Sequence, residues 1–277
     1  MEIAIGDIVL RISHGQDIYF KVESIDSRTL SARLRGIDIR LCADAPLADL
    51  VKPGISEVAN FRAKSLRLRA EIVSRASSQA RLVGRDKKTS FAEIPGVVLH
   101  LDGDAEYMET CRRAYGELGL VNHSFYVPEE RQGAEVEEYL KAHNPDTLVL
   151  TGHDGMIKGY FAADGPDRYH NSRHFIEAVK VARRYRPSKD SLVIFAGACQ
   201  SWYQGLMAAG ANYASSPQRV LIHSLDPVMV VQKVAYTPVT RTANIQEIIE
   251  GSVTGPTGIG GIETRGQFRL GLPKIKK

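Results

Sequence analysis

The hydrophobic and polar positions fall into two regimes. Over residues 3–52 the short apolar stretches "IAIGDIVLRI", "IYFKVESID", "TLSARLRG" and "IDIRLCA" are separated by turn-forming polar residues. Alternation over so few residues predicts half-buried strands, and residues 1–55 fit a small, strongly bent SH3-like β-barrel. Further on the period lengthens. "VVLHL" (97–101), "VNHSFYV" (121–127), "TLVLTG" (147–152), "SLVIFAGA" (191–198) and "RVLIHS" (219–224) read as five strands. Between them "DAEYMETCRRAYGELG", "EERQGAEVEEYLKAHN", "NSRHFIEAVKVARRYRP" and "SWYQGLMAAGA" have helical spacing, and proline stops the second and third. Apolar strands alternating with amphipathic helices predict an α/β domain over 95–277, with a mainly parallel sheet covered on both faces. "IQEIIEG" adds a helix; the glycine-rich "GPTGIGGIETRGQ" that follows has no clear period.

Residues 56–94 join the two regimes. "EVANFRAKSLRLRAEIVSRA" predicts a helix and "SSQARLVGRDKKTS" a flexible linker. From Arg62 to Lys88 nine basic residues stand against Glu71 and Asp86, a local charge of +7 (nine minus two). A solvated basic helix accounts for it, and the net charge of +4 over 277 residues is too mild to point to nucleic acid.

Composition narrows the class further. Cys42, Cys111 and Cys199 are widely spaced and form no CxxC pair. That spacing suits neither a disulfide framework nor a zinc ribbon, and it fits a reducing compartment. Cys42, in a strand-like run, is expected to be buried. No stretch approaches the roughly 18 apolar residues of a membrane span, and the N-terminal residues lack the basic start of a signal peptide. A soluble protein is expected.

The candidate chemistry lies at two strand ends. "LVLTGHDG" closes one strand with His153, and "FAGACQS" closes the next with Cys199, forty-six residues later. A crossover of one helix makes neighbours of such strands, and open α/β sheets place their ligand sites at the carboxyl ends. A thiol beside an imidazole and ahead of a helix is pushed toward thiolate, with His153 as general base and then general acid. The amide of Cys199, with that of Asp154 or Gly155, would form an oxyanion hole. A lone buried cysteine and a polar turn account for the same residues without catalysis. No cofactor is expected. "HNSRH" lacks the glutamate of a zinc-peptidase HExxH motif, so Asn171 or Ser172 is read as a helix cap. "GPTGIGG" lacks the Lys-Ser/Thr of a phosphate loop.

The paired "LVLTGHDG" and "LVIFAGACQS" resemble the caspase–gingipain–clostripain class of cysteine peptidases. With "GDIVLRISHGQDIYFKV" and "ADAPLADL", the whole chain resembles the YabG family of sporulation-specific proteases. The resemblance implies a cysteine endopeptidase of the mother cell that associates with the forming spore coat. Its substrates would be spore coat and morphogenetic proteins, cleaved after arginine. Asp154 stands between histidine and glycine where caspases have the two adjacent, which leaves open whether it orients the imidazole. An arginine side chain calls for a carboxylate pocket; Asp102, Asp104 and Asp226 are the candidates, with Asp104 also suited to cap a helix. Arg81 and Arg85 in the basic linker offer a site for self-cleavage. A non-enzymatic scaffold binding coat proteins or RNA, and a cysteine-dependent amidohydrolase, are the alternatives.

Overall fold

The structure, a computed structural model, describes residues 2–83, 92–157, 159 and 165–271. The chain divides into two compact units, Met1–Glu71 and Ile72–Lys277. In the first, β1 (Ile8–Arg11), β2 (Phe20–Asp26), β3 (Ser31–Gly36), β4 (Cys42–Pro46) and β5 (Leu50–Val51) form one antiparallel sheet in the order β4-β3-β2-β1-β5. Alternate residues Val9, Phe20, Val22, Ala32, Leu34 and Ala45 build its core, as the period-two pattern requires. The sheet ends on β4 and β5, so an open antiparallel sheet stands where a closed barrel was expected. Cys42 is half-buried at the start of β4, more accessible than expected.

Helix α1 (Ile55–Val83) runs past the expected helix end at Ala76. The "SSQARLV" stretch read as linker continues it, and Arg85 lies outside the described residues. Ser and Gln are tolerated in a helix that carries enough Ala, Leu and Arg.

In the second unit the elements are β6 (Ala92–Ile94), β7 (Val98–Asp102), α2 (Ala105–Glu117), β8 (Asn122–Tyr126), α3 (Glu129–His143), β9 (Thr147–Thr151), α4 (Ser172–Tyr185), β10 (Val193–Ala196), α5 (Tyr203–Ala209), β11 (Tyr213–Ser215), α6 (Asp226–Tyr236), β12 (Thr242–Ala243), α7 (Ile245–Gly251), β13 (Ile259–Gly261), β14 (Thr264–Arg265) and β15 (Arg269–Gly271). Six strands form one sheet in the order β13-β11-β10-β9-β7-β8, parallel except for β13 at the edge. Small pairs β12–β14 and β6–β15 lie beside it.

The pleat explains the two covered faces. Leu99, Leu101, Leu148, Leu150, Ile194 and Ala196 point to one side and pack with Val136 and Leu140 of α3 and Phe175, Val179 and Ala182 of α4. Each fully buried leucine there contributes roughly 1.5–3 kcal/mol. His100, on the opposite parity of β7, meets Tyr115 of α2, and α2 packs on α6.

The fifth parallel strand is Tyr213–Ser215, not the expected "RVLIHS". Residues 219–224 form no strand, although Ile222 is fully buried. Their apolar side chains are satisfied by covering the carboxyl ends of the strands, which requires burial but no ladder. The glycine-rich tail supplies β13, where a Cβ on Gly261 would strike the Asn212 carbonyl.

Candidate active site

Strand β9 ends at Thr151, and the turn after it presents His153. Three contacts hold this residue. Its Nε2 lies 2.9 Å from Asp104 Oδ2, its N–H donates to Glu129 Oε1 at 2.6 Å, and its carbonyl accepts from Asn171 Nδ2 at 2.9 Å. Asp104 is also the N-cap of α2, with Oδ1 accepting the amides of Glu106 (2.8 Å) and Tyr107 (2.9 Å). One carboxylate oxygen is therefore fixed by the helix start while the other meets the imidazole. The Tyr107 ring stands 5.6 Å from the imidazole, centroid to centroid.

Asp154 does something different from orienting the ring. Oδ1 accepts the amides of its neighbour Gly155 (2.9 Å) and of Asn171 (2.8 Å). Oδ2 accepts the hydroxyls of Ser172 (2.5 Å) and Ser201 (2.8 Å). Ser172 Oγ in turn accepts the Trp202 amide at 2.8 Å, and Ser201 Oγ accepts the Ala198 amide at 2.9 Å. The carboxylate thus ties the turn after β9 to the turn after β10. Burial pushes the Asp154 carboxyl up despite these donors. Asn171, expected as a side-chain cap, makes no such bond; its amide is spent on the His153 carbonyl.

Cys199 follows β10 after Gly197, whose φ of 106° is in the left-handed region and whose Cβ, if present, would strike Ser215 Oγ. The thiol is fully buried. Its Sγ accepts the Ile222 N–H at 3.2 Å, and the Gln200 N–H donates to the Val220 carbonyl at 3.0 Å. The 220–222 segment therefore lies over the thiol. Helix α5 starts at Tyr203 rather than directly after the cysteine.

The remaining candidate acids are inside the protein. Asp102 is fully buried, 3.3 Å from His100 Nε2, and accepts the Asp104 N–H at 3.0 Å. Asp226 is fully buried at the start of α6, accepting the amides of His223 (3.0 Å), Val253 (2.7 Å) and Thr254 (3.2 Å) and the Thr254 hydroxyl. The Gly155 N–H is turned onto Asp154. Strand pairing and the Asp154–Ser201 bond bring the turns of His153 and Cys199 together; Asp226 belongs to the α6 start.

Two features were missed by sequence reasoning. Glu129, read as the first turn of a helix, is buried at the His153 amide, and burial pushes its carboxyl up. His100, Asp102 and Cys111 form a thiol–imidazole group with a carboxylate, fully buried, with donor atoms within 4.8 Å of one another. It is the group among the described residues that a metal ion would suit. His100 Nε2 is 2.6 Å from Thr151 Oγ1, and Cys111 Sγ donates to the Ser224 carbonyl at 3.4 Å. The strand pattern "VLHLD" places His100 and Asp102 on one face, which was the available signal.

A parallel α/β sheet with a thiol, an imidazole and a carboxylate hydrogen-bonded to that imidazole at neighbouring strand ends has the parts of a hydrolase site. The chain matches the profile of a family described as YabG peptidase U57 over residues 4–273, and it belongs to that family of proteases. It is 38% identical over 287 residues to the "Sporulation-specific protease YabG" of Bacillus subtilis (strain 168), covering 99% of each chain. No solved structure matches it. Among the described residues no helix is long and apolar enough to cross a membrane.

Proposed function

We propose that this protease is a cysteine endopeptidase with Cys199 as nucleophile and His153 as general acid/base, on a caspase-like sheet. The observation that carries the reading is the Asp154–Ser201 hydrogen bond, which ties together the turns presenting His153 and Cys199. Cys199 Sγ accepts the Ile222 N–H at 3.2 Å and lies 3.8 Å from the Ile222 carbonyl, to which it donates. His153 takes the proton of the Cys199 thiol, the thiolate so formed attacks the scissile carbonyl, and the oxyanion is received by the amides of Cys199 and Asp154, with Gly155 available once its N–H leaves the Asp154 side chain. Collapse expels the amine, protonated by His153, and leaves a thioester. His153 then takes a proton from water, which hydrolyses the thioester. Asp104 steadies the imidazolium that forms at each step. Because the thiol is fully covered, substrate entry requires the 219–223 segment to withdraw.

The substrate class is proposed from the resemblance to the YabG family. Spore coat and morphogenetic proteins, cleaved after arginine in or near the mother cell, are the proposed targets. Of the three candidate arginine acids, Asp104 keeps solvent exposure, whereas Asp102 and Asp226 have none. Removing the acid that meets the guanidinium costs about 2–5 kcal/mol in transition-state binding. The test compares kcat/KM on matched arginine and citrulline peptides for Asp102→Asn, Asp104→Asn and Asp226→Asn. Asp104→Asn is expected to lower kcat/KM on both peptides alike, because that carboxylate meets His153; a variant that loses only the preference for arginine identifies the acid, and if all three keep it, the acid lies elsewhere.

Self-cleavage is the companion proposal. The same purified chain, followed by intact mass, is expected to accumulate breaks within residues 75–90, and Cys199→Ala is not. Equal fragmentation of both chains would assign the breaks to another protease. Adding an arginine-containing coat protein to that incubation distinguishes a peptidase from the scaffold and amidohydrolase alternatives.

A further inference from the structure

The first turn of α3 grips the chain on both sides of Gly152. Glu129 Oε1 takes the His153 N–H at 2.6 Å, and Gln132, one turn later, donates Nε2 to the Thr151 carbonyl at 2.8 Å and to the Val127 carbonyl at 3.1 Å. The cradle is shaped for the carboxyl: a Cβ on Gly103 or on Gly152 would collide with it. Asn171 holds the other end of the same residue through its carbonyl. With both peptide groups of His153 fixed, what remains free is the ring's own rotation, and Asp104 and Tyr107 border that.

We propose that Glu129 is a positioning residue for the reaction. It fixes the backbone of His153 so that the imidazole serves Cys199, and its carboxylate adds to the field that favours the imidazolium. The inference rests on the assignment of His153 as the acid/base. Glutamine would accept the same hydrogen bond without the cost of burying a carboxylate. A carboxylate here differs from it by the charge beside the imidazole. Among the described residues, Asp104 and Tyr107 from the start of α2 and Glu129 from α3 stand against His153, with Asp102 beyond Glu129 at the end of β7 and Cys199 the thiol that the imidazole is proposed to serve.

The experiment measures kcat, KM and the pH profile of kcat on an arginine peptide for the full chain and for Glu129→Ala, Glu129→Gln and His153→Ala. Glu129→Ala is expected to lower kcat by about 100-fold with KM changed less than about threefold, as misplacement of a catalytic group does. Glu129→Gln is expected to recover at least about tenfold of that loss, because it restores the acceptor. Its acid limb is expected to move to lower pH by about half a unit or more, because the imidazolium loses a neighbouring negative charge. An unmoved limb in Glu129→Gln, or a folded Glu129→Ala with wild-type kcat, overturns the proposal when His153→Ala is inactive. An active His153→Ala would instead overturn the acid/base assignment beneath it. If Glu129→Ala fails to fold, the limb in Glu129→Gln decides.

Discussion

Cys199→Ala is expected to keep the fold and lose peptide hydrolysis by at least about 10⁴-fold, the scale on which removing a nucleophile acts. The change removes one sulfur from a fully buried position and with it the acceptor of the Ile222 N–H. His153→Ala is expected to lose about 10²–10⁴-fold, the share that acid–base catalysis supplies. Cys111→Ala is the control, because Cys111 lies with His100 and Asp102 in a rival thiol–imidazole group. It should leave kcat/KM within about threefold while lowering stability by the cost of a small cavity, about 1 kcal/mol. Peptide kinetics and circular dichroism on the three variants check this. Loss of activity in Cys111→Ala with retention in Cys199→Ala would move the nucleophile to the buried cluster.

The second large effect belongs to Asp154. Its carboxylate accepts from two amides and two hydroxyls, and those donors come from the β9 turn, the α4 start and the β10 turn. Asp154→Ala strands several of them, at about 1–3 kcal/mol for each buried group left unpaired. A net loss of about 3 kcal/mol or more is expected, because the hydroxyls can turn to other partners. In a chain of this size that lowers the melting temperature by about 6 °C or more. Activity should fall by about 10²-fold at a temperature where the variant is still folded, since the two turns are no longer held in register. Asp154→Asn keeps one acceptor oxygen and should lie between the two. Thermal melts read beside kcat/KM make the comparison, and a destabilised Asp154→Ala with unchanged kcat/KM would show that the link serves folding alone.

The sequence pattern anticipated the parallel sheet because its central strands β9 and β10 are mostly apolar and its helices are amphipathic. Both properties are local. It misplaced the fifth strand because "RVLIHS" and "NYASS" differ in hydrophobicity in the wrong direction. The more apolar segment is buried as a cover over Cys199, while Tyr213–Ser215 pairs between β10 and β13. That the turns carrying His153 and Cys199 follow neighbouring strands was readable, because it needs only the order of β9 and β10 in the sheet. The partners of His153 were not, because they come from elsewhere in the chain. Asp104 is 49 residues away and Glu129 is 24, and each is spent locally in a way that satisfies a sequence pattern, one as a cap and one as a first-turn acid. Asp154, adjacent to the histidine, was the natural guess for orienting it. The side chain instead faces Ser172 and Ser201.

The most direct measurement is covalent capture. The chain is incubated with a peptidyl arginine acyloxymethyl ketone, which alkylates a thiolate only after binding as a substrate, and the modified residue is mapped by peptide mass spectrometry. The predicted result is one adduct, on Cys199, lost in His153→Ala and Cys199→Ala, with the half-buried Cys42 and the buried Cys111 unmodified. An adduct on Cys111, or a fully active protease from which Cys199 is absent, would contradict the account.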